Sequence, residues 1–366
     1  MKREGPDMTS VTTHNLYTSL DELLSPETLS QIAGHRVTEV DIEEREVTGS
    51  ASGNRFLSVK TQGEQVNRYI VKRVNWAWDW LMQAFDDRLC REVQLWSSGL
   101  FDLLPPELIH ATVACAKDGD GWAILMTDYS HLFADDPGWL VSRTPDEAVN
   151  RSYLNALAAL HANYLDDPAL LDPALGLGEP ARYLTALSPQ VLANVTGSDL
   201  PQIWTRWWDD LDAYFAAETV RIIKGLHEDP NPLCTVLQQL PQTLLHGDCH
   251  YSNLVFYSQS PVRILAIDWQ LAHRGAPVID LCRYLTATSI VFPVPHEESI
   301  RHYRECYELH SGTVLDIEQL NAQVELGVLF IYTLFGSGWT YCLGQVGRTA
   351  ELPWMERKIL AGAARL

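Results

Sequence analysis

Strand-like runs come first along this chain, and helical patterns follow. Phe56-Leu57-Ser58-Val59 alternates between apolar and polar positions, and Arg68-Tyr69-Ile70-Val71-Lys72-Arg73 is rich in β-branched residues. Both predict strands, as does the apolar run Trp122-Ala123-Ile124-Leu125-Met126-Thr127-Asp128-Tyr129. Arg91-Glu92-Val93-Gln94-Leu95-Trp96 reads as helical. Over 151–164, Leu154, Leu157, His161 and Tyr164 share one helical face. A second amphipathic helix is predicted over 203–216, with Trp204, Trp207, Trp208 and Leu211 as core or interface aromatics. The longest apolar run, 326–335, is too short to span a bilayer and predicts a buried carboxy-terminal helix. Between these helices lie three further short apolar runs: Thr243-Leu244-Leu245-His246, Leu254-Val255-Phe256-Tyr257 and 262–267. The last two flank Ser258-Gln259-Ser260-Pro261, a turn by composition. Residues 1–20 read as a loose tail, and no internal repeat or low-complexity tract is present.

The predicted hairpin organises the most informative polar residues. His246-Gly247-Asp248-Cys249-His250-Tyr251-Ser252-Asn253 precedes its first strand, and Ile267-Asp268-Trp269 closes its second. Antiparallel pairing about a turn near Ser260 sets Asn253 roughly opposite Asp268. An amide oxygen and a carboxylate then share one open end, a donor set that suits magnesium. Asp248 and Asn253 stand five residues apart. Protein kinases use that gap between the Asp that takes the hydroxyl proton and the Asn that holds a metal ion.

His-Gly-Asp-x-His-x-x-Asn followed by Ile-Asp-Trp resembles the aminoglycoside phosphotransferase and choline kinase superfamily. The triplet Asp268-Trp269-Gln270 is similar to its choline-kinase-like and ecdysteroid-kinase-like branch. The resemblance implies an α+β, two-lobed protein-kinase-like fold. A small amino-terminal antiparallel-sheet lobe over 21–127 would bind nucleotide, and a larger, mostly helical lobe over 128–366 would carry catalysis and the acceptor. It implies ATP or GTP with Mg2+, Asp248 as the catalytic carboxylate, and Asn253 and Asp268 as metal ligands. Lys72 would meet the nucleotide phosphates, with Glu92 as its partner and Asp86 and Asp87 as competitors. Ser52, Gly53 and Asn54, at the end of the small-residue stretch from Thr48, would cover the phosphates or simply form a hairpin turn. Met126, Thr127, Asp128 and Tyr129 would form the adenine-binding hinge, although Met126 equally suits a core. His246 and His250 would support the loop. Asp280, in Arg274-Gly275-Ala276-Pro277-Val278-Ile279-Asp280-Leu281, matches the second acid of a family segment and reads as a helix-start acid that steadies the loop. Trp269, Gln270, Tyr332 and Trp339 are candidates to line the acceptor site. His161 reads as a satisfied core histidine.

Composition narrows the picture slightly. The 366 residues are 46% hydrophobic, enough for two lobes with a sizeable core. Seven scattered cysteines fit a reducing cytoplasm better than a disulfide framework. The polar first 20 residues show no signal core. A net charge of −20 argues against nucleic acid as a partner. It suits solubility, and also a cationic acceptor such as an aminoglycoside or a choline-like metabolite. No membrane partner is expected, and a monomer or a homodimer is. Three functions remain in view: a small-molecule O-kinase, a kinase-like binding or regulatory protein, and a metallohydrolase using His246, His250, Asp248 and Asp268.

Overall fold

The computed structural model describes residues 13–45, 52–132, 147–289, 296–345, 347 and 349–366. The β-branched and alternating runs build the strands β1 (Val37–Arg45), β2 (Arg55–Gly63) and β3 (Arg68–Val74). A two-residue strand β4 (Leu108–Ile109), then β5 (Thr112–Asp118) and β6 (Gly121–Thr127), follow. Five of these form an antiparallel sheet in the order β1-β2-β3-β6-β5. The register sets Lys72 between Phe56 of β2 and Ile124 of β6, at the middle of the sheet. In β6 the residues from Gly121 to Leu125 are all buried, the continuous pattern of a strand covered on both faces.

The short helix Arg91–Ser97 packs against β5 and carries Glu92 in its first turn. Its start is secured from outside, because the Asp87 carboxylate accepts the Arg91 amide at 3.0 and 3.1 Å. Val93, Leu95 and Trp96 then face the core.

Of the tail expected over 1–20, residues 1–12 lie outside the described residues, and the rest is structured. The amide of His14 donates to the Ser97 carbonyl (2.9 Å) and that of Tyr17 to the Cys115 carbonyl (3.0 Å). The amide of Lys117 donates to Tyr17 (3.1 Å), so the segment extends the sheet beside β5. An edge strand offers unpaired backbone groups, and these residues use them. Main-chain pairing of this kind leaves no periodic side-chain pattern to read.

The second lobe is mostly helical. The helices Glu147–Asn163 and His296–Ser311 lie along one another. The 29-residue helix Ile317–Gln345 runs through the lobe, flanked by Val278–Thr288 and Leu352–Ala363. The helix predicted over 203–216 instead covers Leu200–Asp209 and tightens into a 3-10 turn, Asp210–Ala213. Three carboxylates at that end oppose the helix dipole, which shortens the α-helix. Among the described residues no helix is long and apolar enough to cross a membrane.

Two small sheets form the floor under the first lobe. Strand β7 (Thr243–Leu245) pairs with β10 (His273–Gly275). Strands β8 (Leu254–Gln259) and β9 (Val262–Ala266) form the hairpin, with β4 parallel to β9. Strand β8 runs two residues beyond its predicted end, through an irregularity between Phe256 and Ser258. The architecture is the expected two-lobed α+β fold.

Close helix packing in this lobe depends on Gly327. A Cβ there would meet Cys282 Sγ at 2.7 Å and the Val278 carbonyl oxygen at 2.9 Å. Gly327→Val is expected to cost about 1–3 kcal/mol, the usual range for overpacking. Urea unfolding measures it, and an unchanged midpoint would show that the two helices part freely.

Candidate active site

Strand β7 delivers the chain into His246-Gly247-Asp248, and one buried carboxylate holds this turn. Asp280 accepts the His246 amide at 2.7 Å and the Gly247 amide at 3.0 Å. Burial works against its charge, but the hydrogen bond from His161 and the surrounding imidazoles keep its carboxyl below the usual range. His161 Nε2 lies 3.4 Å from Asp280, and its Nδ1 lies 2.7 Å from the Tyr303 hydroxyl, so this histidine is satisfied within the core. Gly247 has φ +81°, and a Cβ would collide with the Leu271 carbonyl, so the turn admits no side chain.

His246 is buried, and burial lowers its pKa and keeps the ring neutral. Its Nε2 pairs with the Ile267 carbonyl (2.9 Å), which leaves Nδ1 to accept the Asp248 amide (3.3 Å). The ring also packs on Trp269, with centroids 4.6 Å apart. Both nitrogens are engaged inside the protein, which corrects the metallohydrolase alternative. Among the described residues no three His, Cys, Asp or Glu side chains converge as metal ligands. His250 Nε2 stands 3.6 Å from Asp248 Oδ2, and its Nδ1 accepts the Ser252 amide at 3.3 Å.

Asp248 and Asn253 meet directly. Asn253 Nδ2 donates to the Asp248 carbonyl (3.0 Å) and to its Oδ2 (3.1 Å). The amide nitrogen is thereby engaged, and the oxygen is the donor atom left for a cation. The hairpin ties this residue to the next, because the Ile267 amide donates to the Asn253 carbonyl at 3.0 Å. The other oxygen of Asp248 is held by Arg283, whose Nε donates at 3.0 Å and whose Nη2 makes a second, shorter contact. Burial opposes the Asp248 charge, but Arg283 and His250 outweigh it and hold the carboxyl well below the usual range. Sequence reasoning missed Arg283. A signal existed: it lies three residues after Asp280 in a helix, on the same face.

The first lobe contributes Lys72. Its Nζ contacts Glu92 Oε2 at 2.8 Å and Asp268 Oδ1 at 2.6 Å. Burial disfavours the ammonium, but these two carboxylates override it and keep the group protonated. The competitors are placed elsewhere, since Asp86 pairs with Arg88 and Asp87 caps the Glu92 helix. Arg73 turns to the other face and pairs with Asp118 at 2.6 Å. The Asp268 side chain is 41% exposed and its backbone is left-handed, at φ +63°.

Of the small-residue stretch, residues 48–51 lie outside the described residues. Gly53 has φ +92°, and its backbone lies so close to the Trp78 carbonyl that no Cβ fits. Ser52 is buried and its carbonyl accepts the Trp80 amide at 3.2 Å. Asn54 Nδ2 reaches Gln270 Oε1 at 3.3 Å. Gln270 in turn donates to Asp79 at 2.7 Å. Burial pushes the Asp79 carboxyl up to about 7, against hydrogen bonds from the Met82 amide and Gln270.

Three acceptor-lining expectations are corrected. Gln270 is buried and turned into that network, away from an open acceptor site. Trp269 is 1% exposed, packed between Phe101 and His246. Tyr332 is 0% exposed and its hydroxyl meets Met355 Sδ. Large aromatics contribute most when fully buried, and here the core takes them. The side chain of Trp339 lies outside the described residues.

Met126 and Thr127 end β6, and the amides of Thr127 and Asp128 donate to the Ala111 carbonyl (2.9 Å) and the Arg68 carbonyl (3.0 Å). The Asp128 carboxylate caps Ser130 at 2.9 Å, and Tyr129 packs edge-on to Tyr257. Met126, Tyr129 and Ile267 pack against a small apolar cluster of Ala111, Val255 and Leu265.

The structure thus holds a buried lysine between two carboxylates, and an Asp–Asn pair on a braced loop joined to Asp268 through the hairpin. The model of the phosphotransferase enzyme family matches residues 46–311, more than half of the chain, and the chain belongs to that family. No curated protein matches it by sequence. Among solved structures, the choline kinase LicA from Streptococcus pneumoniae is 13% identical, with a TM-score of 0.48 over 93% of this chain and 99% of that one. A macrolide 2'-phosphotransferase type I is 16% identical, with a TM-score of 0.45 over 95% and 98%. The amicoumacin kinase hAmiN, in complex with AMP-PNP, Ca2+ and Ami, is 14% identical, with a TM-score of 0.40 over 94% and 90%.

Asp280→Ala would leave two buried amides without an acceptor, at about 1–3 kcal/mol each. A lowered melting midpoint, read by circular dichroism, is the expected result. Full retention of stability would mean that the loop holds its shape without this carboxylate.

Proposed function

We infer that this protein is an ATP-dependent small-molecule kinase, transferring the nucleotide γ-phosphate to a hydroxyl of a small acceptor. The observation that carries this reading is the buried contact of Lys72 with both Glu92 and Asp268. A structural ion pair needs one carboxylate. Two leave net negative charge beside a partly exposed aspartate, a setting suited to a cation and to phosphates bound through it.

Asp248 accepts a hydrogen bond from the acceptor hydroxyl and takes its proton late in transfer. Its firmly ionised state favours this late role, since a strongly stabilised carboxylate is a weak base. Asn253 and Asp268 would hold Mg2+, which supplies charge neutralisation on the phosphates when bound. Their oxygen donors fit such an ion, and Asp268 is accessible to it. Lys72 is the cation for the α and β phosphates, aimed by Glu92. Residues 126–129 would receive the adenine, with the apolar side chains of Met126, Tyr129 and Ile267 available to its faces. With little covalent chemistry required of the protein, positioning and fixed charges supply most of the rate. The acidity of the chain favours a cationic acceptor.

A panel of aminoglycosides, choline analogues, macrolides, nucleosides and sugars, assayed by ATP consumption with Mg2+, tests the reading. Turnover with at least one hydroxyl compound is expected. Asp248→Asn should then abolish transfer while fluorescent-nucleotide binding persists. Lys72→Met should chiefly weaken nucleotide use. Near-normal turnover in the Asp248 variant would overturn the assignment.

A further inference from the structure

The Arg283 guanidinium is buried against Asp248 and does not belong to the motif that marks the site. It rises from the helix Val278–Thr288, three residues after the loop-bracing Asp280. Its Nε donates to Asp248 Oδ1 at 3.0 Å, and Nη2 contacts the same oxygen. Behind it, the guanidinium carbon lies 3.9 Å from the centre of the Phe335 ring, on the long helix Ile317–Gln345. Arg283 is 4% exposed by side chain and Asp248 is 19% exposed. The carboxylate is thus clamped on one side by Asn253 and on the other by a guanidinium that is itself seated on an aromatic face.

We propose that Arg283 is a positioning residue for phosphoryl transfer: it fixes the direction of the Asp248 carboxylate, and Phe335 fixes Arg283. The proposal rests on the kinase reading above. A planar guanidinium orients a carboxylate through two donors and lies flat on a ring, so its role is directional. A lysine keeps the charge but contributes a single point of contact. Misplacing a catalytic group by about 1 Å costs about 100-fold in rate.

The test compares the wild-type enzyme with Arg283→Ala, Arg283→Lys and Phe335→Leu, using ATP, Mg2+ and an acceptor identified in the panel. Arg283→Ala is expected to lower kcat about 100-fold, with the KM for ATP changed less than about twofold. Arg283→Lys should recover part of the loss, and Phe335→Leu should show a smaller one. Free guanidinium at a low, non-denaturing concentration should raise kcat in Arg283→Ala alone. Wild-type kcat in Arg283→Ala would overturn the proposal. So would an equal loss of kcat and of fluorescent-nucleotide binding without guanidinium rescue, which would mark a purely structural residue. If the wild type phosphorylates nothing in the panel, the kinase reading fails first, and this one with it.

Discussion

The site depends on one shared ammonium. Lys72 sits in the middle of a five-stranded sheet, and its charge is divided between a helix of the same lobe and a segment that follows the hairpin. Removing one partner from a buried charge cluster leaves an uncompensated ion, so strand β3, the Glu92 helix and the Asp268 segment are held to one relative arrangement. Buried ion pairs are a poor source of stability, because desolvation offsets most of the attraction. An arrangement with one cation and two carboxylates is explained better by what it would bind than by what it stabilises.

The other half of the site is organised by carboxylates of unequal duty. Asp280 faces inward and supports backbone, with no exposed surface. Asp248 keeps some exposed surface and is held by side chains. The two are linked through the few residues of the His246 turn and through a single helix that supplies both Asp280 and Arg283. A rigid inner carboxylate and an aimed outer one together convert a short loop into a fixed platform, at a place where loops are otherwise the most mobile part of a fold.

Much of this was legible in the sequence, for identifiable reasons. Asp248, Asn253 and Asp268 sit at short spacings around a hairpin, and strand pairing is a local rule. Lys72 and Glu92 lie on a clear strand and a clear helix, so their faces could be read. Arg283 shares a helix face with Asp280, but its contact with Asp248 spans 35 positions of chain and no local pattern shows it. The network of Asn54, Gln270 and Asp79 is likewise long-range, spanning both lobes. Trp269 and Tyr332 read as candidates to line the acceptor site and lie in the core, since an aromatic on one face reads the same in either setting. The helix over 203–216 was read too long because periodicity ignores the charge at its end.

The docking of residues beside β5 also decides how the sheet meets other molecules. One of its two borders is closed by the protein's own chain, through Tyr17. The opposite border is β1, where Glu39, Asp41, Glu43 and Glu44 are all exposed. A strand approaching that border must bring its own backbone against a row of like charges, and two copies of this protein would set the same row face to face. Covering one edge and charging the other are separate devices against edge-to-edge aggregation. This sheet uses both, one built from backbone pairing and the other from side-chain charge.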